Sequence, residues 1–546
     1  MLNTRHRRAH VSAAILAGTT ALSAPMAASA EETVLRIGMT AADIPLTHGQ
    51  PDQGFEGNRF TGIPIYDALT QWDLSSEDEP SEVIPGLATN WEVDPDDATR
   101  WIFELREGVT FHDGSEFTAQ DVVWNVQKVL DEDAEHFDAS QVGVTASRMP
   151  TLRSAEVIDD YTVALVTSEP DSFLPINLTN LFMASPAHWD DKYDQTGDAA
   201  QAWSEFAADP SGSGPFRVTG FTARERLELA PNTEYWDADR TPQIDRVVLR
   251  PMPDANSRTA ALLGGEVDWI EAPAPDAMAQ MESQGFVIYS NPQPHVWPWQ
   301  FSFLDDSPWL DREVRRAANL CVDREELSIL LDGHMGVPQG TVGPDHPWWG
   351  DPEFEIRYDP DTARELMAEA GYSEDTPVEV RIQTSASGSG QMQPLVMNEY
   401  LQQALSDCYF DVDLDVIEWN TLFTNWREGA DAASADGAHA INVSFATMDP
   451  FFAMVRFTST AAFPPVSNNW GYFGDDEFDG LIEEARTTFE PEARDEALGR
   501  LHARIVEEAP FLWVAHDAGP RAMSPSVGNV VQPQSWFIDI ATMTME

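Results

Sequence analysis

Lysine and cysteine are nearly missing from this 546-residue chain. Lys128 and Lys192 are its only lysines, and Cys321 and Cys408 its only cysteines. Two thiols exclude a thiol-rich metal site or a disulfide scaffold. Basic residues number 32 against 92 acidic ones, a formal net charge of −60. Such a surface lacks the cations that release counterions from nucleic-acid phosphates, which excludes a generic nucleic-acid binder. Stable docking on anionic lipid headgroups is disfavoured for the same reason. Beyond the first thirty residues no apolar run approaches the roughly twenty residues of a membrane-spanning helix. There is no G-x-x-x-x-G-K-[ST] loop, no H-E-x-x-H pair, no C-x-x-C and no G-x-S-x-G elbow. The twelve histidines are dispersed. Any pair among so many carboxylates reads first as solvated surface, so nothing in the residues argues for catalysis, a cofactor or a metal.

What is present is core material: 42% hydrophobic residues, 18 Trp and 27 Phe, enough for two or three packed domains. An acidic surface of this density repels itself at low salt and is screened where the Debye length falls to about 3 Å, near 1 M. That predicts a saline working medium. A GC-rich genome would account for the arginine bias but not for the acidic excess.

Arg5, Arg7 and Arg8, the apolar run Val11 to Leu22 and the small residues Ala28-Ser29-Ala30 before Glu31 have the order of a secretory signal. Residues 1–30 are therefore expected to be removed on export, by the Sec rather than the twin-arginine route. No cysteine follows the cleavage point, so no lipid anchor is expected, and a free periplasmic product is. In an oxidising compartment Cys321 and Cys408 could pair, although nothing in the sequence brings them together.

Period-two alternation predicts strands over Val34–Met39, Trp101–Leu105, Phe216–Phe221, Leu227–Leu229, Val247–Arg250, Val378–Gln383 and Val412–Glu418. Val157–Val166 reads as a hairpin with Asp159-Asp160 at its turn. Helical spacing marks Thr118–Leu130, Asn256–Leu263, Asp311–Cys321, Asp361–Ala370, Pro394–Ser406, Phe478–Thr488 and Pro491–Glu508, several with start signals. The mixture lacks strict βαβ alternation and predicts an α/β protein of more than one lobe.

Aromatic residues concentrate in His295-Val296-Trp297-Pro298-Trp299-Gln300-Phe301, followed by Trp309, Trp348-Trp349, Trp419, Trp426 and Trp470-Gly471-Tyr472. Any single Trp is first a core residue. As a group they also suit a cleft whose indoles grip an organic ligand. Prolines on either side of Trp297 argue against a central strand there and for an irregular, site-forming segment. Candidate ligand contacts are His295, Trp297, Trp299, Phe301, Trp419, Asp449, Trp470 and Tyr472.

Longer blocks carry a resemblance. Pro85 to Glu92 runs into Phe103-Glu104-Leu105-Arg106-Glu107-Gly108-Val109-Thr110-Phe111-His112-Asp113-Gly114 and Phe117 to Val122. Gly212-Ser213-Gly214-Pro215-Phe216, Asn232 to Trp236, Asp245 to Asp268, Val314 to Ala317 with Asp323-Arg324, Tyr358 to Tyr372 and Phe478 to Pro510 follow. Together these resemble the family 5 extracellular solute-binding proteins of ABC importers, the oligopeptide, dipeptide and nickel-binding group. The resemblance implies a periplasmic-binding-protein-like α/β fold of the class II, cluster C kind. It has two hinged lobes and a small inserted domain. By analogy the first lobe combines 31–70, 210–290 and 512–546, the inserted domain spans 71–209, and the second lobe spans 291–511.

It further implies a monomer that encloses a solute between its lobes and presents the loaded form to a membrane permease. His112 and Asp113 are expected to form a turn rather than touch ligand. In peptide-binding relatives an acid in a D-x-x-D-P loop pairs with the peptide's α-ammonium group; here the loop reads Ala446-Thr447-Met448-Asp449-Pro450, with alanine at the first acidic position. A peptide or peptide-like solute is the first expectation. An oligosaccharide or glycoside is the second, because sugars stack on indoles and the first acid is missing, and a nickel chelate near His295 is the third. A secreted carboxylate-dependent hydrolase is the alternative of another class, told apart by turnover.

Overall fold

Alternation along Val34–Met39 turns Leu35, Ile37 and Met39 into one core, and the strand pairs in parallel with both Arg246–Pro251 and Trp269–Glu271. This is the middle of a seven-stranded sheet seen in a computed structural model of the chain, which describes residues 32–49, 54–145, 148–388, 390–444 and 450–546. The expected signal segment, Ala446 and Asp449 lie outside the described residues. Thr33–Glu546 forms one unit by its internal contacts.

The seven strands run in the order Val287–Tyr289, Arg521–Met523, Trp269–Glu271, Val34–Met39, Arg246–Pro251, Arg226–Pro231, Phe216–Thr222. A six-stranded sheet has the order Met335–Gly336, Phe511–Asp517, Val296–Phe301, Ala440–Ile441, Val378–Ser385, Phe410–Ile417. The chain passes between these two sheets twice, through residues 290–295 and again through Ala518-Gly519-Pro520.

A four-stranded antiparallel sheet stands apart in sequence, between the first and second strands of the large sheet's central pair. Its hairpin Leu152–Asp159 and Thr162–Thr167 turns where Asp159 Oδ1 accepts from the Tyr161 N–H at 3.0 Å. The helix Ala119–Leu130 packs on it, started by Thr118, whose N–H donates to Asp121 Oδ2 at 2.7 Å. Lys128 on that helix is fully buried, its amine donating to Asn125 Oδ1 at 2.8 Å, and burial lowers its pKa to about 7.

Gly212 and Gly214 explain their motif by close approach. A Cβ at either would stand 2.2 Å from Ile65 O or 2.5 Å from Ile65 C. His112 ties this loop to the four-stranded sheet, its N–H donating to Gly212 O at 2.7 Å, and His112-Asp113-Gly114 is a turn with Gly114 at φ +90°. Cys321, ending the helix Arg312–Cys321, and Cys408, just before Phe410–Ile417, form a disulfide with Cα atoms 6.3 Å apart.

The segment Val296–Phe301 corrects one expectation. It is a regular strand inside the six-stranded sheet, not an irregular loop. The register shifts between Trp297 and Pro298, so the missing proline N–H falls at a bulge where no ladder bond is required.

Candidate functional site

A cavity of about 430 Å³ lies between the elements that carry the two larger sheets, within the roughly 300–1,000 Å³ range of small-molecule sites. One wall comes from the large-sheet side: Thr40, Arg59, the start of the helix Ala255–Leu263 with Arg258, and residues 271–278. The facing wall comes from Leu331, His334, residues 386–388, Gly390 and residues 392–394. Asp517, Gly519 and Pro520 of the second crossing, with Trp536, close the end. Helices start at the cavity from both walls, Pro275–Ser283 and Pro394–Ser406, and neither has a side-chain cap.

Charge at this end is tightly organised. Arg59 Nη2 donates to Glu271 Oε2 at 2.7 Å and Arg521 Nε to Glu271 Oε1 at 3.0 Å. Both arginines also donate to Trp536 O, at 2.8 and 2.6 Å, and Arg521 Nη1 meets Gln532 Oε1. Burial lowers the Arg521 pKa to about 10 even though Glu271 opposes the shift. In a buried triad like this one, loss of the shared acid would strand two cations. Arg258 binds only carbonyls: Met252, Pro253, Glu271 and Ala272, at 2.7 to 2.9 Å. It thereby clamps two loops that line the cavity.

Asp517 is 3% exposed. Its Oδ1 accepts from the Gly519 N–H at 2.7 Å, and it has no salt-bridge partner among the described residues. Burial pushes its pKa up to about 6, against the pull of Arg521 and Arg59.

None of the described residues expected at the site borders this cavity. Trp297, Trp299 and Phe301 lie in the core of the six-stranded sheet, and Trp470 in the adjoining core. Trp297 Nε1 donates to Gln391 O at 3.0 Å, Trp299 Nε1 to Asn398 Oδ1 at 2.7 Å, and Phe301 stacks on Trp309 at 3.9 Å between ring centres. His295 is buried, with Nε2 3.2 Å from Gly390 O, its ring packed on Trp536 and its pKa lowered to about 4 by desolvation. His295 and Trp297 thus hold Gly390 and Gln391 from behind. Trp419 does likewise: a Cβ on Gly388 would come within 2.4 Å of its ring. Tyr472 stands elsewhere, donating to Asp431 Oδ1 at 2.5 Å.

Arg59, Arg258, Glu271, Asp517 and Trp536 border the cavity without having been singled out from the sequence. The only local signal was Asp517 itself, an acid closing the apolar strand Phe511–Asp517 just before Gly519-Pro520. Among the described residues no helix is long and apolar enough to cross a membrane, and no group of three His, Cys, Asp or Glu is placed to hold a metal ion.

Comparison with known proteins agrees with this architecture. Residues 82–464 match the family described as bacterial extracellular solute-binding proteins, family 5 Middle. This chain belongs to that family. Among curated relatives, it is 26% identical over 479 residues to heme-binding protein A of Haemophilus influenzae, covering 86% of this chain and 84% of that protein. It is also 26% identical over 519 residues to the dipeptide-binding protein of Escherichia coli, covering 89% and 91%. Among solved structures, the ABC transporter-associated periplasmic binding protein DppA from Helicobacter pylori, in complex with peptide STSA, superposes with a TM-score of 0.78 at 22% identity, covering 94% of this chain and 98% of that one. The fold is that of a periplasmic binding protein.

Proposed function

We propose that this chain is the solute-binding component of an ABC importer, and that it takes a peptide or peptide-like solute into the cavity between the two larger sheets. One observation carries the reading: in a family 5 chain, a cavity of small-molecule size has walls from two sheets that the described chain joins by two short crossings. Two bodies linked this way can close on a solute, and the solute shifts the balance only so far as it binds the closed form better. The names of the dipeptide-binding relative and of the peptide complex support peptide as the solute class.

The chain's two passages between the sheets support lobes divided near residues 290–295 and 518–520, with the four-stranded sheet as the inserted domain. A periplasmic, unanchored monomer that hands intact cargo to a membrane permease completes the proposal. The glycan alternative drew on the indoles at Trp297, Trp299 and Trp470, which are core residues, so it loses that support.

The test is native mass spectrometry of the purified protein, followed by calorimetric titration with pools of di- and tripeptides. An intact peptide retained or bound in the micromolar range or tighter is the expected result. Release of hydrolysis products, or binding of oligosaccharides in place of peptides, would overturn the proposal.

A further inference from the structure

We infer that Asp517 is the contact for a primary ammonium group on the solute, and that this contact ties occupancy of the cavity to the second crossing between the sheets. The inference rests on the cavity being the solute site.

Three carboxylates border the cavity. Asp254 is exposed and caps the helix Ala255–Leu263, its Oδ1 accepting from the Ser257 N–H at 2.7 Å. Glu271 uses one oxygen on Arg59 and the other on Arg521. Asp517 alone is buried with one oxygen engaged, on Gly519, and its second oxygen has no hydrogen-bond partner among the described residues. A buried carboxylate with an open acceptor favours a cationic donor, because charge-assisted bonds offset what desolvation costs.

The surrounding protein groups do not supply that donor. Arg59 and Arg521 act on Asp517 through space, while Glu271 opposes them. The three Arg521 nitrogens are directed to Glu271, Gln532 and Trp536 O, and Arg59 Nη1 and Nη2 to Trp536 O and Glu271; Arg59 Nε and Gln293 Nε2 have no partner among the described residues and so make no bond to Asp517. His334, on the facing wall, contacts Ser290 Oγ at 3.0 Å, and desolvation lowers its pKa. His295 and His516, next to the same crossing, are held neutral with pKa values lowered to about 4. A single open oxygen suits a compact ammonium better than the two-pronged fork of a guanidinium.

The position gives the contact its leverage. Asp517 ends a strand of the six-stranded sheet, and four residues later Arg521 begins a strand of the seven-stranded one. Gly519 sits between them at φ +51°, where a Cβ would come within 2.2 Å of the Gln293 side-chain nitrogen from the first crossing. One oxygen of Asp517 therefore braces the crossing, and the other is left open in a residue that lines the cavity.

Four probes test this by titration calorimetry: a pool of free-amine di- and tripeptides, the same pool N-acetylated, 1,4-diaminobutane, and maltotriose. Wild-type protein is expected to bind the free-amine pool at least tenfold more tightly than the acetylated one. Asp517→Asn is expected to lose at least tenfold in affinity for the free amines and to erase the acetylation contrast, while Asp517→Glu regains most of it. Affinity for the free-amine pool is expected to fall about tenfold from pH 7.5 to pH 5, with none lost for the acetylated pool. That wild-type pH contrast decides the matter if Asp517→Asn does not fold.

Equal binding of both peptide pools by wild type, or full affinity in Asp517→Asn, would remove Asp517 from the site and leave the peptide reading standing. Binding of the diamine without either peptide pool would keep Asp517 and retire the peptide reading. Binding of maltotriose alone, or of none of the probes, would overturn both.

Discussion

Two neighbouring strands of the six-stranded sheet, Val296–Phe301 and Phe511–Asp517, pair antiparallel and then finish in different surroundings. The first is buried from end to end, and the indole N–H groups of Trp297 and Trp299 are satisfied within the protein. The second shares that core through Leu512, Val514 and Ala515, then ends at Asp517, which borders the cavity with an acceptor left over. Burial is alike in both; what differs is that both indole N–H groups of the first close within the fold, where only Gln300 Nε2 does not, whereas the second keeps an open carboxylate oxygen in a residue that lines the cavity. A buried group whose hydrogen bonds close within the fold serves packing, whereas one left open is available to a solute.

Four experiments press on that contrast. The largest effect belongs to the covalent brace of the same sheet. Cys321–Cys408 closes a loop of 87 residues, and losing such a cross-link costs on the order of 4–5 kcal/mol in the chain-entropy view. Chemical denaturation of a Cys321→Ala/Cys408→Ala variant should show a loss of that size with little change in the affinity of the folded protein. Trp299→Ala comes next. It removes a fully buried ring and leaves Asn398 short of a donor, for about 4 kcal/mol. Melting should fall while the dissociation constant of the surviving native fraction holds; weaker binding at unchanged stability would break the contrast.

Histidines give the third. His295 and His502 are buried and His112 and His516 half-buried, and desolvation lowers the pKa of each to about 4. A histidine with a depressed folded pKa contributes stability that is present above its unfolded value near 6.5 and lost as pH falls toward 4, of order 3 kcal/mol per group. His295→Gln should flatten part of that decline in a pH series of melts. The smallest effect has the opposite sign. Asp517 has a raised folded pKa, so its ionised form weakens the fold as pH rises through about 6. Asp517→Asn should therefore raise stability by about 2 kcal/mol at pH 8 and add little at pH 4. A melt unchanged at pH 8 would mean that the charge is already balanced within the protein.

Much of the scaffold was legible because it follows from local patterns. Helical spacing places Pro394–Ser406 and Pro491–Glu508 at the bounds the structure has, and Thr118 with Asp121 announces a helix start through a bond between neighbours in sequence. Gly371 closes the helix Pro360–Glu369 at φ +95°. The cavity was much harder to read. Its residues come from separate stretches around Thr40, Arg59, Pro253, Glu271, His334, Gly388 and Asp517, and no spacing rule connects them. Arg59, Glu271 and Asp517 look like any other charges in a chain with 92 acids. The aromatic run stood out because tryptophan is rare and large, which are also the properties that send it to a core. Its link to the cavity is indirect, through the carbonyls of Gly390 and Gln391.

The order of strands in the large sheet bears on how such a protein comes into being. Arg521–Met523 lies between Trp269–Glu271 and Val287–Tyr289, joining strands that do not otherwise pair. Until residues 521–523 have been made, Val287–Tyr289 has no partner in this sheet, so its edge closes only after every strand of the six-stranded sheet has been synthesised. A truncation before residue 521 should therefore leave Val287–Tyr289 without its partner in this sheet and open that edge to limited proteolysis.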